Sequence, residues 1–250
     1  MSLLNFLSKG EVDAVHNASL RVLNETGVIL THQPAVDLLM DSGARVKENK
    51  VLFPPTLVES CLKKCPNTVS VKSRGGTIKI LGDGSLNFHN LGGARDIYDH
   101  ATSTHRYATL QDIRDSTRLL DALPNCNTIT PFFTPQDVPG ELMSLAMYRH
   151  AIPNTTKPLQ GPGIQFAAEA RYAVRMAEVL GNPKETLTLS VSPVSPLTIP
   201  DHEAEAIMEI ARLGITFGSL PCPTMGTIAP FSIAGAVAQQ NAEILASIVL

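Results

Sequence analysis

Four short stretches of this chain hold side chains whose types and spacing suit ligand binding: Phe132-Phe133, Gln160-Gly161, Ser192 with Ser195, and Met225-Gly226. Each follows an apolar or β-branched run: Asn127–Thr130, Thr156–Leu159, Thr186–Leu189 and Ile215–Gly218. The runs start 29, 30 and 29 residues apart. The groups on offer are aromatic faces, an amide, hydroxyls and a thioether. No His, Asp, Glu, Lys or Arg stands in the first residues after any of the four runs. A hydrolase, aldolase or isomerase usually places an acid, base, nucleophile or Schiff-base lysine there. A lining without them suits a bulky cation with no proton to abstract. Quaternary ammonium groups are held by aromatic faces and polarisable atoms rather than by ion pairs. Ser192 and Ser195 suit a substrate carboxylate, although prolines beside them also shape turns. Neither has a neighbouring base that would make it a nucleophile. Gly161-Pro162-Gly163 lacks the Lys-Ser/Thr of a phosphate loop.

A helical pattern fills each gap between the runs. Strand and helix alternating in this way predict parallel strands joined by right-handed crossovers. The evenness of the repeat points to an α/β fold of the TIM (β/α)8 barrel type, whose enzymes work at the C-terminal ends of the strands. A length of 250 residues suffices for a minimal barrel. The repeat, however, is missing from the N-terminal part, and only four units follow. Ala242 to Leu250 lies inside a helix pattern without Gly, Pro or a basic terminator. The expectation is about half a barrel that continues past Leu250; a smaller open α/β sheet is the alternative.

The N-terminal part predicts a helical segment over 1–66. Ser8 and Glu11 form a capping box, and Gly27 closes that helix. A second helix runs from near Pro34 to Gly43, and a third from Pro55 to Cys65, before Pro66. Residues 67–108 read as an antiparallel β-meander of Thr68–Val71, Thr77–Ile80 and Ser85–Phe88, followed by a hairpin of Asp96–Tyr98 with Thr104–Tyr107. The glycine-rich stretch His89–Arg95 reads as a turn or a lid edge. Residues 109–250 hold the barrel half, opened by Thr109-Leu110-Gln111-Asp112 as a capping signature. Pro200-Asp201 opens a helix that Gly214 closes. His150 ends a helix, where a partly cationic imidazole would suit the dipole.

A net charge of −3, with Lys and Arg scattered singly, excludes nucleic acid and an anionic membrane as expected partners. No run of about 18 apolar residues predicts a membrane span. Met1–Leu7 is too short for a signal peptide. Cys61 and Cys65 share a helical face, but no His or carboxylate stands at matched spacing, so no metal is expected. The chain reads as cytoplasmic. The N-terminal helices and hairpins offer surface for a homo-oligomer.

Three stretches resemble the trimethylamine:corrinoid methyltransferase family, which includes glycine betaine methyltransferases that lack pyrrolysine. They are Tyr107–Asp112 leading into Leu120–Asn125, then Ser192-Pro193-Val194-Ser195-Pro196-Leu197, and the long run Gly235–Ala246. The resemblance reaches back to Asn24–Val28. It implies a TIM barrel that moves a methyl group from an N-methylated amine to the Co(I) of a separate corrinoid protein, within one-carbon metabolism such as methanogenesis. The chain itself would bind no cofactor; the corrinoid sits on the partner. Family members are roughly twice this length, and no catalytic residue carries over. A different barrel enzyme of aldolase or hydrolase type, and a non-catalytic quaternary-amine binding protein, are the other readings, since fold alone does not fix function.

Overall fold

The computed structural model describes residues 6–161 and 163–250. Met1–Asn5, which carry most of the expectation about a leader, lie outside the described residues, as does Pro162. The helices are α1 (Lys9–Arg21), α2 (Gln33–Asp41), α3 (Pro55–Leu62), α4 (Leu110–Ala122), α5 (Met143–Ala151), α6 (Ala167–Glu178), α7 (Pro183–Thr186), α8 (Asp201–Leu213) and α9 (Ile233–Val249). The strands are β1 (Val28–Ile29), β2 (Arg45–Lys47), β3 (Lys50–Leu52), β4 (Val69–Lys72), β5 (Ile78–Leu81), β6 (Asp96–Asp99), β7 (Thr104–Tyr107), β8 (Thr188–Val191) and β9 (Thr216–Ser219). Among the described residues, no helix is long and apolar enough to cross a membrane.

A parallel ladder organises the second half. β8 pairs with β9 from Thr188↔Thr216 to Val191↔Ser219. On its other side β8 meets Gly161, Gly163 and Ile164. Gly161 N–H donates to Thr188 O at 2.7 Å and Ile164 N–H to Ser190 O at 2.7 Å. Gly161 is required here, because a Cβ would stand 2.4 Å from Thr188 O. The next neighbour is residue 129: Ile129 N–H donates to Pro158 O at 3.0 Å, and Gln160 N–H to Ile129 O at 2.8 Å. Beyond it, His89 and Thr128 form a parallel bridge. The ladder does not close on itself among the described residues.

Two expectations change. The ladder starts one segment earlier than the thirty-residue spacing predicts. Phe88, assigned from sequence to a third meander strand, instead joins the parallel ladder. Its carbonyl accepts from Asn127 N–H at 2.7 Å, and its own N–H goes to Asn127 Oδ1 at 2.8 Å. Of the expected meander only β4 and β5 pair antiparallel, in register Val69↔Leu81, and β6 and β7 form the separate hairpin, in register Asp96↔Tyr107. The second change is a shift along the chain. Thr186 ends α7, where Asn182 Oδ1 caps Lys184 N–H at 3.1 Å, so β8 begins at Thr188. The runs at 127–130 and 156–159 touch their neighbours through bridges and do not become full strands.

Helices fill the crossovers. α6 turns Ala170, Ala173 and Ala177 inward, and α8 turns Ala204, Ile207 and Ile210 inward; all are fully buried. Three- and four-residue spacing makes each an apolar stripe against Leu159, Leu189, Val191 and Ile215 of the ladder. The N-terminal part packs on the other end. Ser19 of α1 donates to Ala238 O at 2.9 Å and accepts from Asn241 Nδ2 at 2.9 Å, both on α9. β1, β3 and β2 form a small antiparallel sheet. Gly27 enters it at φ 72°; a Cβ there would lie 2.5 Å from Val51 O.

The predicted capping boxes of α1 and α4 are present. Glu11 accepts from Ser8 N–H at 2.7 Å. Asp112 accepts from Thr109 N–H at 2.8 Å. Asp112 also takes two bonds from Arg106 of β7, both 2.8 Å, which pins the β6–β7 hairpin to the start of α4. This fork-to-fork pairing holds the Asp112 carboxyl down to about 2. A carboxyl depressed when folded stabilises above its unfolded value near 4 and loses that contribution as pH falls towards 2. Asp112→Asn should therefore melt lower at pH 7 by a free energy of about 2 kcal/mol, less in high salt because Arg106 is partly exposed. The gap to the wild type should narrow between pH 4 and 2. Chemical denaturation across that range checks it; a gap independent of pH would contradict it.

Candidate functional site

Parallel register brings the ends of the first three ladder segments level. Asn90, Thr130 and Gln160 stand there side by side. Thr130 N–H donates to Asn90 Oδ1 at 3.0 Å, and Asn90 Nδ2 donates to Thr130 O at 2.7 Å. Thr130 Oγ1 donates to Gln160 Oε1 at 2.9 Å. The Gln160 carbonyl is thereby occupied. Its amide nitrogen has no hydrogen-bond partner among the described residues and remains a pair of donors. Asn90 was part of a turn in the sequence; its place in this row follows from Phe88 joining the ladder.

The other expected site residues divide. Phe132 and Phe133 pack edge to face, with ring centroids 4.8 Å apart. They line a cavity of about 330 Å³ with Ile97, Leu119, Leu120 and Asp115, between α4 and the β6–β7 hairpin. Gly161 serves strand packing, as described above. Ser192 is exposed. Ser195 Oγ donates to Glu243 Oε2 of α9 at 2.7 Å. Its hydroxyl hydrogen is not free for a substrate carboxylate. Met225 is half exposed, and Gly226 turns at φ 79° with its N–H on Ala229 O at 3.0 Å. The structure thus joins Gln160 to Asn90 and Thr130, and Ser195 to Glu243; the two phenylalanines form a separate group.

One further group departs from expectation. His150 Nδ1 accepts from Arg114 Nε at 3.1 Å. Burial, and the charges of Arg114 and Arg149, lower its pKa. A ring that accepts from a guanidinium is neutral, so it does not serve the helix dipole as a cation. Cys61 and Cys65 are free thiols. Among the described residues, no three His, Cys, Asp or Glu side chains converge.

Sequence reasoning passed over Glu203. Five helices carry an acid at the third helical position; in the single turn of α7 it is Glu185, which accepts from the Asn182 side-chain amide at 3.2 Å. Glu11, Asp112 and Glu169 each accept N–H groups at the start of their helix; for Glu169 these are Gln165 at 2.8 Å and Phe166 at 3.1 Å. The residue before α8 is Pro200, which has no N–H to give. Glu203 is 4% exposed and its Oε1 has no partner. Burial pushes its carboxyl up to about 7, against the favourable Ser192 amide. The signal was legible: a proline in the cap position three residues before a glutamate.

A model of the trimethylamine methyltransferase (MTTB) family matches residues 1–250. A trimethylamine methyltransferase MttB of Desulfitobacterium hafniense (strain DSM 10664 / DCB-2) is 30% identical over 97% of this chain and 51% of its own length. A glycine betaine methyltransferase of Desulfitobacterium hafniense (strain Y51) is 27% identical over 98% of this chain and 53% of its own length. A proline betaine:corrinoid methyltransferase of Eubacterium limosum is 24% identical over 98% of this chain and 53% of its own length. The chain spans about half the length of these relatives. Among solved structures, the hydroxylamine MtmB complex shares the fold, with a TM-score of 0.57 and 12% identity over 96% of this chain and 57% of that one.

The Glu203 carboxyl titrates where it can be tested. A carboxyl whose folded pKa is raised favours folding below its unfolded value, near 4.5, and loses that contribution as pH rises through about 7. Glu203→Gln should gain stability over the wild type as pH rises from 4.5 to 8, by up to about 3 kcal/mol. Thermal melting at several pH values reads this. A variant less stable than the wild type at pH 8 would show that the carboxylate is ionised and partnered.

Proposed function

The chain belongs to the trimethylamine methyltransferase (MTTB) family, and from that premise we propose that it forms part of a (β/α)8-type barrel moving a methyl group from a quaternary or tertiary N-methylated amine to the Co(I) of a corrinoid protein. Residues 1–66, and 67–108 apart from Phe88–Asn90, then form a helical segment and a β-hairpin segment packed against the barrel part, 109–250 together with Phe88–Asn90. The protein acts in the cytoplasm, and the corrinoid partner docks over the C-terminal ends of the ladder segments.

One observation carries the reading. The ladder segments end in a row of amide and hydroxyl groups, Asn90–Thr130–Gln160, that leaves the Gln160 amide as a free donor. The residues immediately after Thr130, Gln160, Val191 and Ser219 include no His, Asp, Glu, Lys or Arg. Methyl transfer from a quaternary amine needs none at that place, and a tertiary amine that binds as its ammonium ion brings its own proton and leaves as a neutral secondary amine. The C–N bond breaks with its electron pair on nitrogen, and the cobalt(I) pair forms the new bond to carbon. A quaternary substrate leaves as a neutral tertiary amine, without a proton transfer. What the protein supplies is position: an amine held with one methyl facing the docked corrinoid. The Gln160 donors suit a polar or carboxylate end of the amine.

The test uses the natural full-length protein with Co(I)-cobalamin and a panel of N-methylated amines, followed in the visible spectrum. Growth of a methyl-Co(III) band with one amine is expected. A flat spectrum across the panel, with folded protein and intact Co(I), would contradict the reading. Gln160→Ala should raise KM for that amine about tenfold, the loss of one hydrogen bond of about 1.4 kcal/mol, with a smaller effect on kcat.

A further inference from the structure

α9 carries a carboxylate that the proposed chemistry does not use. Glu243 is 1% exposed and follows the polar run Gln239-Gln240-Asn241 on the helix. Its Oε2 accepts from Ser195 Oγ at 2.7 Å. Its Oε1 accepts from Leu197 N–H at 2.9 Å and from Gln239 Nε2 at 3.0 Å. Gln239 Nε2 donates as well to Ile228 O at 2.8 Å. Ser195 and Leu197 lie in the loop after β8, and Ile228 in the loop after β9. Among the described residues, no Lys, Arg or His pairs with Glu243.

A buried carboxylate held by neutral donors alone is expensive to desolvate. An alanine-rich helix gains nothing from it in packing. What it does gain is strong, directed hydrogen bonds to two loops at once. Leu197 shows the demand on the first loop: its φ is +47°, uncommon for a residue other than glycine. It is fixed from two sides, its N–H on Glu243 and its carbonyl accepting Ile29 N–H at 2.8 Å. The second consequence concerns Ser195. Since a carboxylate only accepts, the Ser195 hydrogen points at Glu243, and the hydroxyl offers other groups lone pairs only.

We propose that Glu243, with Gln239, is a positioning residue: it locks the loops after β8 and β9 to α9 in one register, and sets Ser195 to present its oxygen lone pairs, not its hydrogen, to a cationic amine. The first part stands on the geometry alone; the second rests on the proposed methyl transfer. Glu243→Gln separates polarity from shape. The new carbonyl keeps Leu197 and Gln239, while the new NH2 faces Ser195. The serine hydroxyl then turns to accept, and its hydrogen is released to donate elsewhere.

Hydrogen exchange in the full-length protein tests the lock. Glu243→Ala should raise exchange at least tenfold at Leu197 and at Thr227–Ala229 together, while Glu243→Gln keeps both protected. Unchanged exchange in the alanine variant, or a response in one loop only, would overturn the lock. Kinetics tests the polarity. Glu243→Gln and Ser195→Ala should each raise KM for the amine at least fivefold, and more than they lower kcat; equal KM in wild type and both variants would overturn it. The glutamine variant guards against a misfolded alanine one. Coupled exchange in a wild-type protein that transfers no methyl group would overturn the reaction and support the lock.

Discussion

The backbone ladder running from Phe88 to Ser219 is the constraint on which the rest depends. Buried N–H and C=O groups must be paired, and parallel segments can be paired only if each is followed by a crossover that returns the chain to its starting side. Every crossover helix therefore begins on the side where the segments end. That places the N-termini of α4, α6 and α8 on the side where the ladder segments end, and with them the acids of their first turns: Asp112, Glu169 and Glu203. Two of these satisfy helix amides. The third cannot, because of Pro200. The polarity of the mouth is thus a by-product of topology, with one carboxyl left out of the pattern.

The stretches that carried the family resemblance act as fasteners. Thr109 and Asp112 tie α4 to the β6–β7 hairpin through Arg106. Asp121, at the other end of α4, accepts from Thr155 Oγ1 at 2.7 Å and Thr156 N–H at 2.8 Å, and Lys157 Nζ donates to Leu120 O at 2.9 Å. Ser195 and Glu243 belong to two of the resembling stretches, 48 residues apart, and meet in one hydrogen bond. What makes the chain look like its relatives is largely the set of hydrogen bonds that hold helices and loops at fixed places on the ladder.

This explains how much was legible beforehand. Helix starts and stops were local: Ser8, Thr109, Gly27 and Gly214 act within a few residues, and the sequence pattern finds them. Parallel register is not local. Phe88 reads as a meander strand because alternation is all that neighbouring residues can show, and its true partner, Asn127, lies 39 residues on. Ser195 reads as a free hydroxyl because its acceptor sits on a later helix. Phe132 and Phe133 were placed correctly at a segment end, yet their rings turn to the cavity beside α4. Glu243 was visible as one of four polar residues, with Gln239, Gln240 and Asn241, that interrupt the apolar run 229–250, and inside the resembling stretch Gly235–Ala246, but its partners were not.

The most direct measurement is a crystal structure of the natural full-length protein with a trimethylammonium carboxylate bound in the absence of corrinoid. The account predicts the ligand at the C-terminal ends of the ladder segments, with a carboxylate oxygen within hydrogen-bond distance of Gln160 Nε2 and a methyl group facing the open side. A ligand bound elsewhere, such as the cavity between Phe132, Phe133 and α4, with Gln160 disengaged, would contradict it.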